Sequence, residues 1–108
     1  MKKFLFIFRH STDPQSRPSP EEMQALGVQW YAWMEKFSAS ILPGGDGLKL
    51  GGRLLRSGIV TDGPYIEAKE FVASFSLIQA DNYEAAVAIA RECPGDNLIE
   101  IRELGGYA

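Results

Sequence analysis

The chain has 108 residues, 45% of them apolar and 23% charged, which suits one globular domain over residues 1–108 with its own core. A net charge of −3 with no Lys/Arg cluster argues against nucleic acid as a partner, because phosphate neutralisation needs concentrated positive charge. A single cysteine, Cys93, excludes an intrachain disulfide and fits a cytoplasmic location.

Residues 3–8 read as a strand in which Phe4, Phe6 and Phe8 share one face and Leu5 and Ile7 the other. The apolar run ends after five residues, too short for a secretory core, and no run approaches the ~20 apolar residues of a membrane span. No membrane partner is therefore expected.

Residues 11–18 are polar with two prolines and read as a loop. Ser19-Pro20-Glu21-Glu22 is a helix start: Ser19 caps, Pro20 takes the first helical position and Glu22 closes a capping box. Met23, Leu26, Trp30, Trp33, Met34, Phe37 and Ile41 form one apolar stripe, so the helix is expected to reach about Ser40 and stop before Pro43-Gly44-Gly45. Residues 48–56 read as a second strand. Ser57-Gly58 is a two-residue hairpin turn, pairing Arg56 with Ile59, Leu55 with Val60, Leu54 with Thr61 and Arg53 with Asp62. Phe71 to Gln79 reads as a strand. Asp81 to Glu84 reads as a capping box opening a helix that ends near Cys93, and Leu98 to Arg102 as a last strand with Ile99 and Ile101 inward.

This order predicts an α+β, ferredoxin-like βαββαβ fold with an extra hairpin strand, and two helices on one face of an antiparallel sheet. Right-handed crossovers suggest that the first and third main strands lie side by side and parallel. The second sheet face would expose either Leu5 and Ile7 or the phenylalanines. A homodimer through that face is the expectation, with coverage by the tail 103–108 as the alternative.

Asp62-Gly63-Pro64-Tyr65, followed by Glu67 and Lys69-Glu70, resembles the Asp-Gly-Pro-Phe branch of the YCII-related family, with Tyr65 in place of Phe. The aromatic-rich start Lys3 to Phe8, Ser19-Pro20-Glu21-Glu22 and Cys93-Pro94 are similar to that branch too. The resemblance implies a dimeric α/β barrel, enzymatic roles on small molecules in some members, and regulatory roles as another option. The first YCII-type members carry a His/Asp pair held to be catalytic. The lone histidine here, His10, is not matched to it by position, so that chemistry does not carry over.

Asp62 has two readings. It can brace the turn and pair with Arg53, or it can be a carboxylate held at a pocket mouth as a base. Glu67 and Lys69, two residues apart in extended chain, can act as acid/base partners or as a solvated ion pair. Histidine is the residue type that exchanges protons near neutral pH, and His10 falls at the exit of the first strand, where the hairpin count also carries Asp62. The candidate catalytic residues are therefore His10, Asp62 and Lys69, with Arg53, Tyr65 and Glu67 as candidate substrate contacts. Trp30, Tyr31 and Trp33 could line a pocket, but Trp30 and Trp33 at helical spacing read rather as core, and Cys93 as filler. One histidine and one cysteine cannot make a usual zinc site, and neither a dinucleotide fingerprint nor a phosphate loop is present, so no metal or cofactor is expected. Two functions fit. One is a cofactor-free enzyme performing proton transfer or elimination on a small organic acid or lactone. The other is a non-catalytic small-molecule-binding or regulatory module. A cleft where His10, Asp62 and Lys69 converge favours the first, and a flat apolar surface the second.

Overall fold

The structure, a computed structural model, describes residues 1–63, 69–96 and 98–107. The chain is α+β: β1 (Lys2–Ser11), α1 (Pro20–Lys36), β2 (Ile41–Gly47), β3 (Gly52–Arg56), β4 (Ile59–Gly63), β5 (Glu70–Ala80), α2 (Tyr83–Arg91) and β6 (Leu98–Glu103). Four strands form one sheet in the order β2-β5-β1-β6, and β3 and β4 form a separate two-stranded sheet. Every neighbouring pair in the large sheet is antiparallel. The order and the two helices are consistent with the ferredoxin-like arrangement. The expected parallel pairing of the first and third main strands is corrected: β1 and β5 run antiparallel. Each crossover skips a place in the sheet, so the strands it joins are not neighbours.

The phenylalanines face the helices. Phe4 and Phe6 have no exposed surface and Phe8 almost none, and they form the core with Trp33, Ile78, Ala86, Ile89 and Ala90. Ile78 stands directly opposite Phe4, and directly opposed residues of an antiparallel pair share a face. The Trp33 Nε1–H donates to the Ile89 carbonyl at 3.0 Å, joining α1 to the end of α2. The opposite sheet face carries Leu5 opposite Leu77, Leu77 opposite Leu42, and Ile7 opposite Phe75, all half-buried. Of the described tail residues, Tyr107 is fully exposed, so its ring does not cover that face.

The Ser19 capping box forms with both bonds in place. The helix it starts ends at Lys36, four residues short of the expected Ser40, because residues 37–40 turn the chain back on Phe37. Ile41 therefore opens β2 instead of closing the helical stripe. Met23 and Met34 lie exposed, so the buried stripe is narrower than the spacing suggested. The larger correction concerns Pro43-Gly44-Gly45, read as a helix stop and loop. These residues lie within the edge strand β2, whose register against β5 shifts between Leu42 and Asp46. A proline fits an edge strand at a bulge, where no ladder donor is needed. Gly44 has φ +116°, and a Cβ on Gly45 would sit 2.7 Å from the Phe75 carbonyl oxygen, so both glycines answer a local need.

The second strand of the main sheet is thus 41–47, and the 48–56 reading collapses to β3, outside that sheet. Its hairpin register is as expected for all four predicted pairs, with Ser57 and Gly58 both at positive φ, as the tight hairpin turn requires. The cap of α2 is Asn82, whose side chain accepts from the Ala85 N–H at 2.8 Å, and not Asp81.

Candidate functional site

A cleft of about 980 Å³ opens at the end of the sheet where β1 finishes. Local sequence builds each wall. Between Phe8 and Arg9 the register of β1 against β5 shifts, Phe8 standing opposite Ser74 and Arg9 opposite Val72. Beyond that bulge His10 stands over Phe71, with ring centroids 5.9 Å apart and planes at 78°. The following loop is pinned by side chain–backbone bonds. Asp13 accepts from the Gln15 N–H at 3.0 Å and starts a single 3-10 turn at Pro14–Ser16, and the Ser16 hydroxyl donates to the Asp13 carbonyl at 2.7 Å. The Thr12 N–H donates to the Lys69 carbonyl at 2.9 Å, tying the loop to the approach to β5.

α1 supplies Glu22 and Leu26 from its capped first half and Trp30 from beyond its middle, the turn after α2 supplies Asp96, and Leu98 comes from the start of β6. Trp30 is held edge-on by Phe8 at 5.4 Å and by Trp33 at 5.5 Å, so it forms a fixed wall. Arg17 and Glu70 add further charge. The cleft therefore combines aromatic surface from Trp30 and Phe71 with one imidazole and ionic groups of both signs.

Arg9 borders the cleft, but its guanidinium is committed elsewhere. It donates to Glu100 at 2.8 Å, and Arg102 donates to the second oxygen of the same carboxylate at 3.0 Å. Hydrogen bonds from Arg9 and then Arg102 hold the Glu100 carboxyl below its ordinary range. Strand alternation sets Arg9 on the face of β1 opposite to His10, beside Ile7, whose β6 partner is Glu100.

Of the expected site residues, the cleft gathers His10. Asp62 and Arg53 pair with each other at 3.3 Å on the β3–β4 hairpin, both strongly exposed, and neither is among the described residues lining the cleft. Lys69 is exposed, its carbonyl serving Thr12, and its side chain is not part of that lining. Tyr65 and Glu67 lie outside the described residues. Glu22, Phe71, Arg17 and Asp96 carry no site signal in the sequence, and Trp30, an option for a pocket wall, reads first as core. Glu22 already had a role as a cap and Trp30 as a core residue. The signal that could have found them is the position of the α1 start, nine residues after β1 ends at Ser11, next to His10.

Cys93 sits half-buried after α2, and burial pushes its thiol up to about 12. Among the described residues no three His, Cys, Asp or Glu side chains gather to hold a metal ion, and no helix is long and apolar enough to cross a membrane.

The sequence model of the YCII-related domain matches residues 4–104. No curated protein matches the chain.

Proposed function

The chain belongs to the YCII-related family, and on that premise we propose that it is a cytoplasmic homodimer, of the Asp-Gly-Pro-Phe branch, that acts on a small organic acid or lactone in the cleft beside His10. The dimer forms through the open sheet face of Leu5, Ile7, Leu42, Phe75 and Leu77, giving the dimeric barrel. The observation that carries the site is the cleft itself: a concave space of ligand size with aromatic walls, a few polar groups and one imidazole. His10 serves as general base, removing a proton next to a carbonyl without a cofactor. Arg17 steadies the negative charge that develops.

Deuterium uptake tests this. A panel of small 2-oxo acids and lactones is incubated with the protein in D2O and followed by proton NMR. The native chain is expected to exchange a carbon-bound proton of at least one member. His10→Gln is expected to slow that exchange by about 100-fold or more. Equal rates for the two proteins refute the role of His10.

A second reading, binding without turnover, is favoured by one observation: Asp62, the other expected base, is paired with Arg53 away from the cleft lining. Under it, ligands shift the amide resonances of Trp30 and Phe71 while no panel member exchanges.

A further inference from the structure

The β3–β4 hairpin is apolar in a way that its own chain does not explain. Every residue from Gly52 to Asp62 is exposed. Leu55 and Val60 stand opposite each other on one face, 71% and 59% exposed. Leu54 and Ile59 lie diagonally on the other face, 40% and 67% exposed. A two-stranded ribbon is marginal in water without further packing, and one solvated on both faces would be polar on both.

The surface area gives the scale of what is uncovered. A monomeric protein of 11.9 kDa exposes about 6,000 Å². This chain exposes 8395 Å², about 2,400 Å² more. Its radius of gyration is 15.5 Å, against about 13 Å for a compact chain of this length. It is also flat, with extents of 44 × 40 × 20 Å. Burying that surplus on each of two copies would remove about 4,800 Å² in total, the range of obligate homodimers. The open sheet face cannot supply it all, since its apolar side chains are already half-buried.

We propose that the β3–β4 hairpin is an arm that clasps a second copy of this chain, burying Leu54, Leu55, Ile59 and Val60 against the partner. This rests on the homodimer reading and adds to it the element that holds the pair. Both roots of the arm lie at the cleft end of the sheet. The Leu48 N–H donates to the Ala73 carbonyl at 2.8 Å on one side, and the Lys69 carbonyl accepts from Thr12 on the other. In a two-fold pair each arm therefore crosses to its partner from beside its own cleft, and both exchanges are equivalent.

Sedimentation velocity from nanomolar to high micromolar protein tests the arm, with the native chain, Leu55→Glu/Val60→Glu and Leu54→Glu/Ile59→Glu. The substituted side chains are exposed in the single chain, and far-UV circular dichroism checks that each variant is folded. The expected result is a native dimer and a dissociation constant weakened by about 100-fold or more in both variants. A native dimer that both folded variants match in affinity overturns the arm and leaves the sheet-face dimer standing. A native monomer at every concentration overturns both. Amide exchange on the native protein gives a second readout without substitution. Protection at Leu55 and Val60 is expected to rise with protein concentration, and protection independent of concentration counts against the arm.

Discussion

Trp33→Phe isolates the bond that joins the two helices. The Trp33 indole is buried, and its N–H reaches the Ile89 carbonyl, in the last turn of α2, at 3.0 Å. That carbonyl also accepts from the Glu92 N–H at 3.2 Å, while the Cys93 N–H donates to Ala90. Phenylalanine keeps most of the ring contact with Trp30 and Phe37 but removes the donor. Losing one of that carbonyl's two donors costs about 0.5–1.5 kcal/mol. The space left by the smaller ring adds about 1 kcal/mol. With a urea slope of about 1.5 kcal/mol per molar, the expected loss moves the unfolding midpoint down by roughly 1–1.7 M. The assay is equilibrium urea unfolding by far-UV circular dichroism, at one fixed protein concentration so that any association contributes equally. Trp30→Phe is the control, because Trp30 is half-buried and only its ring contacts are at stake. A midpoint shift for Trp33→Phe no larger than that for Trp30→Phe refutes the reasoning.

Two further outcomes test the edge strand and the lone thiol. Gly45→Ala forces a Cβ against the Phe75 carbonyl and the Ser76 Cα, both backbone atoms that cannot swing aside, and is expected to cost about 1–3 kcal/mol by thermal melt. Gly47→Ala on the same strand meets nothing within 4 Å, and a similar loss there refutes the close-packing account. Burial raises the Cys93 thiol from an ordinary 9.0 to about 12, so the native protein holds a proton that the unfolded chain releases. Its contribution is fully present below pH 9.0 and declines as pH rises from there toward about 12. Alkylation near pH 8 is expected to be slow in the native state and fast in urea, and equal rates refute the burial account.

How legible the fold was depended on whether a residue had one local role or two. Ser57-Gly58 had one, and the four pairs it implied are all observed, with Gly52–Gly63 added beyond them. Pro43-Gly44-Gly45 had two. Proline and glycine break helices, but they also serve an edge strand that bends, and only the pairing of Ile41 and Leu42 with β5 decides between these. Asp81 and Asn82 are both good caps; the spacing to Glu84 favoured Asp81, but the geometry chose Asn82. The alternating pattern of β1 showed that one face is all phenylalanine, but not which face meets the helices.

The site was legible only at His10. Its place at a strand end followed from the strand pattern, whereas the cleft around it depends on a bulge and on how α1 lies across the sheet. Glu22 had a complete explanation as a cap, and the helical spacing of Trp30 made core the stronger reading than a pocket wall. Asp62 had a partner predicted alongside its functional role, and Arg53 is where the structure places it.

The register shift in β2 also decides how this protein behaves in a crowded solution. β2 is an outermost strand of the four-stranded sheet, the place where an incoming strand would add on and continue into a filament. Pro43 has no N–H to offer such a strand, and at Gly44 the backbone turns out of line with φ +116°. Growth by strand addition is blocked along that margin. β2 is therefore expected to be a poor template for added strands despite the exposed apolar side chains elsewhere on the chain.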